Sequence, residues 1–435
     1  MPLIRWQMIK LRDYQERIAE EACALLCTHG MAYLALAVRT GKTITALYTA
    51  ELLRKHSMLP MRTVVFLTKK KAIESIQQDF ARLAADYVLL VMNYEQVKIG
   101  NKWLEDADLF ILDEAHGLGQ YPKPAERTKL LRSIIGRKPV IYLSGTPSPE
   151  SYSQLFHQFW VSARSPFPEK TFYEWAKAYV NVYQVRFGHG LVNNYSKAKE
   201  SAIMEKVGHL FLRFSQEDAG FTQLVEEEIL TVRMEDRTYA IVDKLVKKRV
   251  IVNQEGETVL ADTAVKLLNK LHQLYSGSVI VDEPSKYAKA LDMSKGRYIR
   301  DNFAGQKIAV FYKFKAEAVI LRATLGRPIT ESPEEFQAGG ADMVFISQIQ
   351  SGREGVNLST ADALVMMNID FSAVSYFQAR ARLQTKDRTE PAKVYWLFSD
   401  GGIEAKIYER VKAKKDYTVR YFKNDYKLKD EATDI

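Results

Sequence analysis

Apolar runs bounded by polar, turn-forming residues recur at 32–38, 64–68, 88–92, 108–112 and 140–144. Between them lie segments with helical spacing, and one such segment, Leu11 to His29, precedes the first run. Short, continuous apolar runs are strands covered on both faces. Their alternation with helices predicts a parallel sheet with crossover helices. From 150 to 222 the pattern turns helical and aromatic-rich, as in Phe172-Tyr173-Glu174-Trp175. Glu228 to Met234 then reads as a strand, and 236–276 as a helical stretch. The strand and helix alternation resumes with Ile308–Tyr312, Met343–Ser347, Ala363–Met367 and Val394–Phe398. The expected class is α/β, with an N-terminal lobe over 1–223 and a C-terminal lobe over 286–435. The first lobe carries a helical extension at 150–222, and a mostly helical segment over 224–285 links the two. No Pro/Gly-rich linker and no fixed-period repeat marks the boundary.

Composition narrows this picture only a little. The 435 residues are too many for one ordinary core. Hydrophobic residues at 47% and charged residues at 26% are those of a globular chain. A net charge of +9 favours a polyanionic partner. The two cysteines, Cys23 and Cys27, stand one helical turn apart. They form neither a disulfide framework nor a four-ligand zinc site, and read as core thiols in a reducing compartment. The first residues, Met1-Pro2-Leu3-Ile4-Arg5-Trp6, lack the apolar stretch of a signal peptide. No apolar run reaches the ~20 residues that span a bilayer. A cytoplasmic chain with no membrane partner is expected.

The candidate chemistry sits where strands end. The first run turns through Arg39-Thr40-Gly41-Lys42-Thr43 into a helix starting near Ile44. Such a turn aims free backbone N–H groups and a helix N-terminus at phosphates. Lys42 would reach the β- and γ-phosphates, and the Thr43 hydroxyl would ligate Mg²⁺. The longer phosphate-loop pattern has a glycine where Leu36 stands. The run Leu109–Leu112 ends in Asp113-Glu114-Ala115-His116. Asp113 can hold Mg²⁺ through water, and Glu114 can orient and deprotonate an attacking water. His116 would tie this loop to the next segment. Either signature alone also fits a solvated loop. In this order, each after a strand, they point to ATP hydrolysis.

Further motifs carry a family resemblance. The strand Pro139–Leu143 ends in Ser144-Gly145-Thr146-Pro147, and this resembles the third motif of superfamily-two helicases. Leu11-Arg12-Asp13-Tyr14-Gln15 resembles their adenine-reading element. Ser351-Gly352-Arg353-Glu354-Gly355-Val356-Asn357-Leu358 resembles the Gly-x-x-Gly-x-Asn-Leu segment of the Swi/Snf-like branch, and Gln378-Ala379-Arg380-Ala381-Arg382 the final, arginine-bearing motif. Asn93-Tyr94-Glu95-Gln96, Thr146-Pro147-Ser148-Pro149 before Leu155-Phe156, and Leu212-Arg213-Phe214 before Glu217-Asp218 are similar to further elements of that branch. The match runs over nearly the whole chain. Its compact form looks most like the small DNA helicases and translocases of bacteriophages.

The resemblance implies two tandem RecA-like lobes with parallel sheets and ATP between them. Gln15, Thr40, Gly41, Lys42 and Thr43 would bind ATP from the first lobe, and Gly355 and Arg382 from the second. Lys42, Asp113, Glu114 and Arg382 would be catalytic, with Thr43 and Asp113 on Mg²⁺. His116, Ser144, Thr146 and Gln378 would couple hydrolysis to movement. Lys69, Lys70, Asn93, Tyr94, Lys313 and Ser347 would contact the nucleic-acid backbone. Two departures stand out: Arg39 replaces a family glycine, and the position of a second finger arginine is Thr385. Arg380 and Arg388 are therefore alternatives to Arg382. The stretch from Lys412 to Lys429 reads as a packed helix with a tail, and alternatively as a basic, aromatic grip on single strands. The implied activity is that of an ATP-dependent DNA helicase or translocase. It would act on forked, branched, duplex or protein-bound DNA in replication, recombination or repair. An RNA helicase with the same engine and a non-catalytic DNA-binding scaffold are the other readings. Single-stranded DNA or RNA remain possible partners, and the sequence names no protein partner.

Overall fold

A computed structural model describes residues 9–37, 39–56, 61–98, 101–187, 190–220, 225–349, 358, 360–372 and 392–412. The chain divides into two compact units, 1–221 and 222–435. Both are α/β with a six-stranded parallel sheet, as the alternating pattern predicts.

In the first unit the strands are β1 (Met31–Leu36), β2 (Thr63–Thr68), β3 (Val88–Asn93), β4 (Leu109–Leu112), β5 (Val140–Leu143), a hairpin of β6 (Tyr183–Phe187) and β7 (Gly190–Asn194), and β8 (Phe211–Phe214). The helices are α1 (Asp13–His29), α2 (Lys42–His56), α3 (Ile73–Leu83), α4 (Lys102–Glu105), α5 (Glu126–Ile135), α6 (Gln154–Trp160), α7 (Phe172–Tyr179) and α8 (Glu200–Val207). The sheet order is β3-β2-β4-β5-β1-β8. Side chains alternate across it with period two. Tyr33, Val65, Leu67, Phe110 and Tyr142 enter one apolar cluster, and Leu34, Val64, Phe66, Ile111 and Ile141 enter another. Both faces are covered, which is why the strands read as unbroken apolar runs.

The stretch 150–222 is only partly helical. It also holds the β6–β7 hairpin and β8, which pairs in parallel with β1, Tyr33 opposite Phe211. The sequence Phe211-Leu212-Arg213-Phe214 is too short, and too interrupted by Arg213, to announce a strand by periodicity.

The second unit contains β9 (Val225–Val232), β10 (Val250–Val252), β11 (Thr258–Leu260), β12 (Ser278–Val281), β13 (Tyr287–Ala290), β14 (Ile308–Tyr312), β15 (Ile329–Thr330), β16 (Val344–Gln348), β17 (Ala363–Met366) and β18 (Ala392–Ser399). Its main sheet has the order β15-β16-β14-β17-β18-β9. The helices include α9 (Asp236–Lys248), α10 (Ala264–Tyr275), α11 (Ser294–Asn302), α12 (Lys315–Thr324) and α13 (Pro333–Ala338), and a further helix spans Glu404–Lys412.

The segment 224–285, expected as a mostly helical link, is built into this second unit. β9 pairs with β18 along its whole length, from Val225 opposite Ala392 to Val232 opposite Ser399. Leu267, Leu271 and Leu274 of α10 share a core with Phe311 and Trp396. The helical stretch expected over 236–276 breaks at Arg249, which takes a left-handed φ of 63°. The β-branched Val250-Ile251-Val252 that follows pairs with Thr258–Leu260.

Cys23 is buried, but Cys27 is exposed, so only one of the two thiols belongs to the core. Burial pushes the Cys23 thiol up to about 11. No described helix is long and apolar enough to cross a membrane.

Candidate active site

The sheet order decides what meets at its C-terminal edge. β5 lies between β4 and β1, so the acidic loop after β4 and the phosphate loop after β1 flank the Ser144–Pro147 turn after β5. Parallel strands place all three turns on one edge, where ligands of open α/β sheets bind.

The phosphate loop is tightly bonded to its own unit. The Thr40 hydroxyl donates to Ala37 O at 2.8 Å, and Lys42 Nζ donates to the same carbonyl at 3.3 Å. Gly41 has a φ of 84°, and a Cβ there would lie 2.0 Å from Gln15 Nε2. Only glycine fits that position. Gln15 is itself committed: its Oε1 accepts from Arg12 N at 3.0 Å, and its Nε2 donates to Thr40 O at 3.1 Å. Tyr14 donates its hydroxyl to the same Thr40 carbonyl at 3.1 Å. The element read as adenine-reading therefore buttresses the loop in this structure. Lys42 and Thr43 open α2, where the helix leaves its first N–H groups without intrahelical partners. Arg39, at the family's glycine position, adopts a φ of 69°. A left-handed conformation costs a side-chain-bearing residue about 1–2 kcal/mol. Burial also lowers the Arg39 pKa.

The acidic loop is held from several sides. Asp113 Oδ2 accepts from the Thr68 hydroxyl at 2.7 Å, and Oδ1 from Glu114 N at 3.0 Å. Burial and the neighbouring Glu114 carboxylate push the Asp113 carboxyl up. The Thr68 hydrogen bond and the Lys42 charge oppose that rise. Glu114 takes φ 49° and ψ 45°, another left-handed residue, and opens a short 3₁₀ turn over Ala115–Leu118. His116 Nδ1 lies 3.2 Å from Glu114 Oε2 and 3.0 Å from Ser144 Oγ. Ser144 Oγ also accepts from Thr146 N at 3.1 Å. A polar chain thus runs from Glu114 through His116 and Ser144 to Thr146.

Behind this chain, the Tyr33 hydroxyl donates to Gln158 Oε1 at 2.6 Å, and Gln158 Nε2 donates to Pro147 O at 2.8 Å. A cavity of about 370 Å³ lies alongside, lined by Ala37, Gly145, Pro147, Tyr152, Arg213 and Phe214 among others.

Sequence reasoning missed Thr68 as the partner of Asp113, and missed Tyr33 and Gln158. Thr68 was legible in principle, because β2 neighbours β4 with Leu67 opposite Leu112, one residue short of Thr68 and Asp113. Gln158 carries no local signal, since only tertiary packing brings α6 under the Ser144–Pro147 turn.

Of the residues read as nucleic-acid contacts, Lys69 and Lys70 stand at the C-terminal edge of β2, with Lys70 exposed. Asn93 spends its side-chain oxygen on the backbone N–H groups of Glu95 and Gln96, each at 3.0 Å. Tyr94 donates to Asp113 O at 2.6 Å. In the second unit, Lys313 Nζ pairs with Asp370 Oδ1 at 2.7 Å and lies 4.0 Å from the centroid of the Phe371 ring. Ser347 is half-buried near the end of β16, opposite Phe311. Gly355, Gln378, Thr385 and the arginines Arg380, Arg382 and Arg388 lie outside the described residues, as does most of the Lys412–Lys429 stretch.

No family model matches this chain. Over short stretches it is similar to several curated proteins. Human chromodomain-helicase-DNA-binding protein 1 is 32% identical over 82 residues, which are 19% of this chain and 5% of that protein. Human DNA repair and recombination protein RAD54-like is 36% identical over 74 residues, 17% of this chain and 10% of that protein. The matched stretches thus span between 5% and 10% of the length of these two relatives. Among solved structures, the Sulfolobus solfataricus SWI2/SNF2 ATPase core in complex with dsDNA overlays 99% of this chain and 97% of that one, at 15% identity and a TM-score of 0.44.

Proposed function

We propose that this chain is a DNA-dependent ATPase of the Swi/Snf-like branch of superfamily-two helicases. It would use ATP hydrolysis to move along DNA and to remodel forked, branched or protein-bound DNA in recombination, replication or repair. The likeness to compact bacteriophage enzymes belongs to the same reading. The observation that carries it is the acidic loop. A carboxylate fixed by the Thr68 hydroxyl and the Glu114 N–H feels the charge of Lys42, and the next carboxylate is tied through His116 to Ser144.

The division of labour follows from charge and position. Lys42 and the N–H groups opening α2 hold the triphosphate. The Thr43 hydroxyl and, through water, the Asp113 carboxylate would hold Mg²⁺, and both are the oxygen donors that a hard cation arriving with phosphates takes. Among the described residues no group of three or more His, Cys, Asp or Glu is arranged to hold a metal ion by itself, and a metal carried in with phosphates needs none. When bound, the metal neutralises phosphate charge. Glu114 orients the attacking water and accepts its proton. The His116–Ser144–Thr146 chain carries the change of charge at Glu114 to the turn after β5. Arg382 remains the residue proposed to meet the γ-phosphate. The relatives' names speak of DNA binding, repair and recombination, which supports DNA as the track.

ATP turnover by the purified chain, measured alone and with duplex DNA, single-stranded DNA or RNA, tests the proposal. DNA is expected to stimulate turnover. Turnover indifferent to DNA refutes the motor reading, and stronger stimulation by RNA transfers the engine to an RNA track.

A further inference from the structure

The acidic loop has a second set of supports, on the side away from the phosphate loop. Tyr94, just past the end of β3, donates its hydroxyl to the main-chain oxygen of Asp113 at 2.6 Å. Arg127, in the first turn of α5, donates Nη2 to the main-chain oxygen of Gly117 at 2.5 Å. Thr128 adds a bond from its hydroxyl to Leu118 O at 3.3 Å. Arg127 also lies over the Tyr94 ring, its guanidinium carbon 5.9 Å from the ring centroid. One aromatic ring and one guanidinium thus bracket the loop at both ends, at Asp113 and at Gly117, and touch each other outside it.

Tyr94 is half-buried and Arg127 is exposed. They line a cavity of about 550 Å³ together with Glu95, Glu126, Lys129 and Leu130, among others. Lys129 Nζ is paired with Glu126 Oε1 at 2.6 Å. Glu95 and Glu126 bring as many negative side chains to the cavity lining as Arg127 and Lys129 bring positive ones. The balance suits a single phosphate at Arg127 rather than a run of them. A guanidinium already held over a ring is a pre-organised donor for such a group.

We infer that Arg127 and Tyr94 are positioning residues for the hydrolytic loop, and that Arg127 is where one backbone phosphate of bound DNA acts on it. A phosphate at Arg127 competes with Gly117 O for the guanidinium. That competition shifts the loop carrying Glu114, whose carbonyl accepts from Gly117 N at 2.9 Å. Tyr94 transmits the same event to Asp113 through its hydroxyl. This inference rests on the proposed DNA-dependent ATPase.

The test is ATP turnover of the full chain against duplex DNA concentration at several salt concentrations, for wild type, Arg127→Ala, Arg127→Lys and Tyr94→Phe. Arg127→Ala should raise the half-stimulating DNA concentration about tenfold, and should lower the slope of its salt dependence by about one. Arg127→Lys should recover the half-stimulating concentration but not the saturating rate, because it keeps the charge and loses the fork. Tyr94→Phe keeps the ring and loses the hydroxyl. It should lower the saturating rate about tenfold with the half-stimulating concentration unchanged. Wild-type half-stimulation and salt slope in Arg127→Ala overturn the phosphate contact, and a wild-type saturating rate in Tyr94→Phe overturns the strut. If wild type itself turns over no ATP, or ignores DNA, the proposed function fails and this inference falls with it.

Discussion

Replacing Asp113 by asparagine should stabilise the ligand-free protein at neutral pH while destroying its activity. The carboxyl sits half-buried beside Glu114, and its pKa is raised from 3.8 to about 6. A group displaced that far carries an ionisation cost in the folded state of about 3 kcal/mol at most. Partial exposure reduces the expected gain to roughly 1–2 kcal/mol. Asparagine keeps the hydrogen bonds: Oδ1 still accepts from Glu114 N, and Nδ2 can donate to the Thr68 oxygen in place of accepting from it. The sign follows from proton binding. The folded state holds the Asp113 proton more tightly than the unfolded chain, so wild-type stability falls as pH rises from about 4 to about 6 and stays lowered above that. The advantage of Asp113→Asn should therefore be small near pH 4.5 and full at pH 7.5. Urea unfolding in EDTA at the two pH values measures it. A variant no more stable than wild type at pH 7.5, or one with the same gain at both pH values, refutes the reasoning.

Three further outcomes are expected. Lys42→Ala should reduce ATP turnover at least a hundredfold, since Lys42 is the cation proposed to reach the β- and γ-phosphates; near-normal turnover would remove Lys42 from the site. Glu114→Gln should bind ATP as wild type does, in equilibrium binding of a fluorescent analogue, yet fail to hydrolyse it, and loss of binding would contradict a role confined to the water. Arg39→Gly should be more stable than Arg39→Ala by about 1 kcal/mol, because both lose the side chain and only glycine relaxes a φ of 69°. Equal melting temperatures for the pair would mean the loop relieves the strain by shifting.

The parts of the fold legible in the sequence are those with strong local signals. Strands covered on both faces announce themselves as apolar runs, and β1 to β5 and β14 to β18 fall within a few residues of the runs that predict them, β15 excepted. β15 has two residues, Ile329 and Thr330, and no periodicity to read. β8 and β9 are edge strands: β8, Phe-Leu-Arg-Phe, is too short to read, and β9, expected over 228–234, begins earlier at Val225, a start hidden because Glu226-Glu227-Glu228 breaks the apolar run. Their placement depends on which neighbour they find, β1 or β18, and that is tertiary information. The same divide runs through the candidate site. Lys42, Asp113 and Glu114 follow apolar runs and can be found by motif. Thr68, Gln158 and Arg127 reach the site from β2, α6 and α5, which only the folded sheet brings near β4 and β5.

Lys313 shows why a charge at a motif position is not yet a contact. From sequence it follows a strand of the second lobe and reads as a cation for the nucleic-acid backbone. In the folded unit its ammonium is half-buried and paired with Asp370 at 2.7 Å, over the Phe371 ring. Its backbone is fixed as well: Lys313 N and Phe314 N donate to Glu317 Oε2 at 2.8 and 2.6 Å, and Gln348 Nε2 donates to Lys313 O at 2.7 Å. Glu317 Oε1 accepts from Asn368, whose Oδ1 meets His272 Nε2. Recruiting Lys313 to a phosphate would leave Asp370 without this partner in a half-buried site, and that loss would offset most of what the phosphate adds. Lys70, exposed after β2, has no such prior commitment to an acidic group among the ion pairs described. Backbone tracking should therefore depend more on Lys70 than on Lys313. Lys70→Ala should reduce the salt dependence of DNA binding by about one phosphate contact, whereas Lys313→Ala should act mainly through stability. An unchanged salt slope in Lys70→Ala together with a reduced one in Lys313→Ala would reverse that assignment.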